Sequence, residues 1–136
     1  MGCCVIYSLT KAKSDLREKL LDKDKFYRSS TILYEKEAQL LEDWLGNNKK
    51  LNLKLLYKAT LHGDKASDFW SKCDNEDNVF VFVKSTSGHR FGGYRQVTFT
   101  KNGRYKTDAK AFLFSLTHAL KCNLKNSNGE NAVYYY

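Results

Sequence analysis

Five consecutive residues, Val79-Phe80-Val81-Phe82-Val83, are apolar at every position. A strand turns successive side chains to opposite faces, so an unbroken apolar run needs cover above and below. The run therefore predicts a strand deep inside a layered domain. Polar, turn-forming segments bound it: Cys73-Asp74-Asn75-Glu76-Asp77-Asn78 before and Ser85 to Gly88 after. The chain contains no proline, so its turns must be made by Gly, Asn, Asp and Ser.

Further short strand signals follow. His89-Arg90-Phe91 opens a second strand, which Gly92-Gly93 interrupts as at a bulge or a close backbone approach. Tyr94 to Thr100 alternates, with Val97 and Phe99 on one side and Gln96 and Thr98 on the other; Asn102-Gly103 is the strongest short hairpin signal. Ala111 to Leu116 is another apolar strand, and Ala132 to Tyr136 begins a last one. Upstream, Ala38, Leu41 and Leu45 recur at helical spacing, with Trp44 beside them, acidic residues in the first turn and Gly46 as the stop; this predicts a helix over 35–45. Leu53 to Thr60 reads as a strand. A short helix over 65–72, capped by Asp64, carries Ala66, Phe69, Trp70 and Cys73 on one stripe. Residues 9–25 are of mixed charge around Leu16 and Leu20, a marginal helix, and the domain boundary falls near residue 26: residues 1–25 form a lead-in and 26–136 the domain. Short strands joined by loops of this length imply an α+β fold with an antiparallel sheet or sandwich and two or three helices.

The 136 residues suffice for one core. Aromatic residues make up 14% of the chain, which favours pleated, half-buried surfaces. The net charge of +8 is concentrated: between Lys84 and Lys125 nine basic residues face one acid, Asp108. Lys84, Arg90, Arg95, Lys101, Arg104 and Lys106 are thus candidates for a basic contact face. Such a segment can meet nucleic acid, an anionic membrane or an acidic protein, and charge alone does not choose. Arg90, Phe91, Tyr94, Arg95 and Phe99 interleave basic and aromatic residues, as surfaces that stack single-stranded bases do. The competing reading puts the aromatics in the core, and no nucleic-acid signature accompanies them.

The four cysteines, Cys3, Cys4, Cys73 and Cys122, show no metal-ligand spacing, and no secretory signal is evident; free thiols in a reducing, cytoplasmic setting are expected. Met1-Gly2-Cys3-Cys4 looks like a doubly acylated start, with myristate on Gly2 and palmitate on Cys3 and Cys4, although Ile6 stands where that motif wants Ser or Thr. Otherwise Val5-Ile6-Tyr7 is a short apolar tail. Cys73 with His62 or His89 is a conceivable catalytic pair, but a small buried thiol on an apolar helix stripe is the usual explanation. Asp74, Glu76 and Asp77 lack the ligand pattern of a calcium loop.

Ordered blocks then point to a family. Leu55-Leu56-Tyr57-Lys58-Ala59, Ala66-Ser67-Asp68-Phe69, Ser71-Lys72-Cys73-Asp74-Asn75, Val83-Lys84-Ser85, Phe91-Gly92-Gly93-Tyr94 and Ala111-Phe112-Leu113-Phe114-Ser115-Leu116 occur in this order. The series resembles the TLDc domain of the oxidation-resistance proteins, from about residue 29 to the end. The resemblance implies a two-sheet antiparallel β-sandwich with flanking helices, no catalytic residues, no cofactor and no metal. It also implies a role in resisting oxidative stress and binding to the vacuolar proton-pumping ATPase. Leu55, Leu56, Tyr57, Phe69, Cys73, Asp74, Asn75, Phe91, Gly92, Gly93, Tyr94, Phe112 and Phe114 are then fold signatures rather than a site. The chain departs from the pattern at Lys58 to His62, at Trp70 and at Arg95. The family's domain also continues beyond the equivalent of Tyr136, so the domain is expected to be incomplete at its C-terminal end, with Ala132 to Tyr136 lacking a strand partner.

Overall fold

The computed structural model describes residues 3–10, 30, 32–46, 50–98, 100, 103–125 and 128–134. The elements are β1 (Cys3–Leu9), α1 (Glu35–Leu45), β2 (Leu53–Lys58), α2 (Ala59–His62), α3 (Ala66–Cys73), β3 (Val79–Lys84), β4 (Arg90–Arg95), β5 (Tyr105–Lys106), β6 (Phe112–Ser115), β7 (Leu120–Asn123) and β8 (Val133–Tyr134). All pairings are antiparallel. Six strands form one sheet in the order β2-β1-β3-β4-β6-β7, and β5 and β8 form a second. Two antiparallel sheets with a few helices make this the α+β, sandwich-like architecture expected.

Cover on both faces is what the apolar run of β3 receives. Phe80 and Phe82 join Val5 and Tyr7 of β1, Tyr94 of β4 and Phe112 and Phe114 of β6 in the larger core, under Ala38 and Leu41 of α1 and with Ile32, Leu33 and Leu51. Val79 and Val81 turn the other way, into a smaller core with Ile6, Leu56, Tyr57, Phe69 and Cys73. The period of two along β1 and β3 thus feeds two layers at once. Trp44 packs edge-on to Phe112, and its ring lies 6.1 Å from that of Phe114.

α1 matches its predicted bounds. Its buried Glu37 reaches back to accept the Tyr34 N–H at 3.0 Å, and buried Glu42 accepts the Leu51 N–H at 2.7 Å, which fixes how the chain leaves the helix. At α3, Lys65 rather than Asp64 is the N-cap, and its N–H is satisfied by Asp68 three residues on. β2 ends at Lys58, earlier than predicted, because the chain turns into α2; the His62 Nδ1 accepts the Lys58 N–H at 3.0 Å.

Three expectations are corrected. Residues 3–9, placed in a lead-in, form β1, which lies between β2 and β3 with Val5, Ile6, Tyr7 and Ser8 buried; the helix expected over 9–25 lies almost wholly outside the described residues. The strand expected over 94–100 stops at Arg95. Buried Asp108 takes the Gln96 and Val97 N–H groups on one carboxylate oxygen, at 2.6 and 3.1 Å, so these donors are unavailable to a ladder. β5, the strand after Gly103, consequently pairs with β8 instead of closing a hairpin, and Tyr105 meets Tyr134 with ring centres 4.7 Å apart. Val133 and Tyr134 therefore have a partner within this chain.

Candidate functional site

At Gly92-Gly93 the reason for glycine is steric. A Cβ on Gly92 would lie 1.9 Å from the Val81 carbonyl oxygen and 2.8 Å from the tip of the Phe114 ring, so β3 and β6 close over the site. Next to it Tyr94 is buried and donates its hydroxyl to Asn78 Oδ1 at 3.0 Å. Burial, with Asp108 and Asp77 nearby, pushes its phenol up to about 12. Leu56, Tyr57, Cys73, Phe112 and Phe114 are buried, Phe69 is half-buried, Asp74 and Asn75 form an exposed turn, and Leu55 is exposed. Asn75 adopts φ +61°, a left-handed position that Asn tolerates.

Cys73 is enclosed, and burial pushes its thiol from about 9 up to about 11 despite the opposing pull of Arg95. A thiol held neutral is a poor nucleophile. Cys3 and Cys4 sit in β1, Cys3 against the larger core and Cys4 against the smaller; Gly2 lies outside the described residues. Among the described residues no group of three or more His, Cys, Asp or Glu side chains is placed to hold a metal ion.

Several described side chains of the basic segment are engaged within the fold. Arg90 donates to Glu37 through both terminal nitrogens at 2.6 Å and to the Ile32 carbonyl at 3.1 Å, while its guanidinium lies 4.3 Å from the centre of the Tyr34 ring. Arg95 is buried, donating to the carbonyls of Glu76 and Val97. Lys106 reaches the Thr98 carbonyl at 3.2 Å. Lys84 is half-buried, Arg104 is exposed, and Lys101 lies outside the described residues. Four of the five base-stacking candidates share β4, but Tyr94 and Arg95 are buried and Arg90 is tied to α1; Phe99 is outside the described residues.

What the fold does bring together is apolar. Cross-strand partners share a sheet face, and the register aligns Phe91 with Ser115 and Leu120, and Gly93 with Leu113 and Cys122. This is the face on which Val79 and Val81 meet the smaller core, but α2 and α3 lie over the β1–β2 side of it. Across β4, β6 and β7 the face is open: Phe91 is 43% exposed, Leu113 65% and Leu120 56%. The sequence placed Phe91 in a strand, a family motif and a base-stacking set, and Leu113 in an apolar strand and a family block, but did not bring the two together on one face. β7 was not predicted: Leu120-Lys121-Cys122-Asn123 does alternate, but over only four residues, too short a run to stand out.

The TLDc domain model matches residues 26–136. Two curated relatives share the similarity. The MTOR-associated protein MEAK7 of Gallus gallus is 29% identical over 83 residues, covering 61% of this chain and 17% of that protein. The MTOR-associated protein MEAK7 of Mus musculus is 22% identical over 133 residues, covering 98% of this chain and 29% of that protein. The chain thus spans less than a third of either relative's length. No solved structure matches. With the TLDc model matching most of this chain, and the motif residues occupying core, turn and strand-crossing positions, the chain belongs to the TLDc domain family.

Proposed function

We propose that the chain is a non-catalytic protein-binding module of the cytoplasm that engages its partner through the open sheet face of Phe91, Leu113 and Leu120. The carrying observation is that three large apolar side chains are exposed together on the strands of a TLDc domain. Clustered exposed apolar groups mark interaction surfaces more often than scattered ones do. The occupant is a protein surface that presents apolar anchors of its own. The candidate partner is the vacuolar proton-pumping ATPase, in support of oxidative-stress resistance, as the family resemblance suggests. A second reading, association with an mTOR-containing assembly, is favoured by the name the MEAK7 relatives carry. Membrane attachment would require acylation at Gly2, Cys3 or Cys4, which intact mass of the cell-derived protein reads directly.

The test is to immobilise the native chain, the variant carrying Leu113→Glu and Leu120→Lys, and a denatured control, and to quantify pump and mTOR subunits recovered from cell extract. Enrichment by the native chain alone supports the reading and identifies the partner. Equal recovery by the native chain and the variant rejects this face as the contact. Recovery of neither assembly above the denatured control rejects both partners.

A further inference from the structure

Two histidines distant in sequence are brought together at one end of the sheet. His89 closes the β3–β4 turn and His118 lies in the β6–β7 turn; both are exposed, and their rings lie 5.8 Å apart at an angle of 27°. The backbone sets their relation. The Arg90 N–H donates to Thr117 Oγ1 at 2.7 Å, while the Leu116 and Thr117 N–H groups donate to the Arg90 carbonyl at 2.9 and 3.2 Å. Each histidine is therefore the sequence neighbour of a residue in a clamp joining the two turns. Each turn is also braced: the His89 N–H donates to Ser85 Oγ at 3.1 Å and the His118 N–H to Ser115 Oγ at 3.3 Å. Ala119 holds a left-handed φ of +51° at the end of the second turn, a conformation that a residue with a β-carbon adopts at a cost.

We infer that His89 and His118 form a two-imidazole site for a divalent transition-metal ion of the Zn2+, Ni2+ or Cu2+ class. Neutral imidazole is a good ligand for these borderline ions and a poor one for Mg2+ or Ca2+. A bound zinc ion needs one nitrogen of each ring within about 2.1 Å. Near-parallel rings with centres 5.8 Å apart can meet that need by turning about the soft terminal torsion of each side chain. Among the described residues no further His, Cys, Asp or Glu completes a group of three. The ion thus keeps coordination positions for water or for a side chain of a partner. The cations nearest in sequence are committed elsewhere, since Arg90 is paired with Glu37 and Lys121 donates to the Trp44 carbonyl at 2.8 Å. This site adjoins the Phe91 and Leu120 end of the apolar face, but it is made of different residues and does not depend on the proposed partner.

The experiment is a titration of the full chain, thiols reduced, with Zn2+ alone, following the ring proton signals of all three histidines by NMR at neutral pH. The expected result is saturable, coincident change at His89 and His118 and none at His62. His118→Phe keeps a stacked ring but removes the ligand, and His89→Ala removes the other; each is expected to abolish saturable binding, while Cys122→Ser leaves it intact. Independent, non-saturating changes at the two histidines, or binding that survives both histidine variants and vanishes with Cys122→Ser, would overturn the inference.

Discussion

Arg90 is the residue whose role changes most between sequence and structure. Within a segment of excess positive charge it reads as a solvent-facing cation; in the fold its side chain is 13% exposed and that of Glu37 8%. Burial decides the energetics. An exposed pair is worth under about 1 kcal/mol, whereas removing one partner of a buried pair strands the other charge and costs about 3–5 kcal/mol. Arg90→Ala also uncaps the Ile32 carbonyl, so urea unfolding should show a loss in that range. Arg90→Ala combined with Glu37→Ala should recover part of it; a loss below about 1 kcal/mol would make this a surface pair after all. Cys73 gives a pH prediction. Its thiol is raised from about 9 to about 11, so the fold favours the neutral form and the unfolded chain ionises first. The stabilisation from this group is complete below pH 9 and is lost as pH rises toward about 11. Native chain should lose urea resistance across that window more steeply than Cys73→Ala does. At neutral pH a thiol alkylating reagent should modify exposed Cys122 while sparing Cys73.

Among the elements, β1 carries the strongest prediction. The family match begins at residue 26, yet Cys3–Leu9 pairs with β2 on one side and β3 on the other. A chain of residues 26–136 would leave β2 without its only sheet partner among the described residues, expose the edge of β3, and remove Val5, Ile6 and Tyr7 from both cores. It is expected to be insoluble or to lack the dispersed amide spectrum of the full chain, since unpaired edges and emptied cores favour aggregation over folding. A folded 26–136 fragment would show that β1 is dispensable. β1 was hard to read because its Cys3-Cys4 start fits an acylation motif and the family blocks begin far downstream. β3 and α1 were legible because unbroken apolar sequence and three- and four-residue spacing are local signals. Asp108 shows the opposite case. Nothing local marks it, yet it takes the N–H groups of Gln96, Val97 and Lys110, and so ends β4 and frees β5 to pair with β8. Gly129 at φ +69° belongs to the same knot: its carbonyl accepts the Asp108 N–H, and a Cβ there would lie 2.3 Å from the Ala109 nitrogen. Such long-range polar ties cannot be seen from spacing.

At the scale of the whole molecule, two asymmetries compete to explain binding. One is the charge of +8, which sequence places in a single segment. The fold engages part of it internally, with Arg90 paired to α1, Arg95 buried and Lys121 tied to Trp44. The other is the open face of β4, β6 and β7, which exists only once register sets Leu113 and Leu120 beside Phe91. If charge governs association, added salt should weaken binding steeply; if the apolar face governs, salt should matter little and apolar-to-charged substitution should matter greatly. The double variant Leu113→Glu with Leu120→Lys separates the cases without unfolding the domain. Both side chains are more than half exposed, so each substitution should change stability by no more than about 0.5 kcal/mol. Self-association at high concentration, measured by sedimentation, should fall in the variant while its unfolding midpoint stays put. A large drop in that midpoint would show instead that Leu113 and Leu120 are packed in solution, and that the face is already covered.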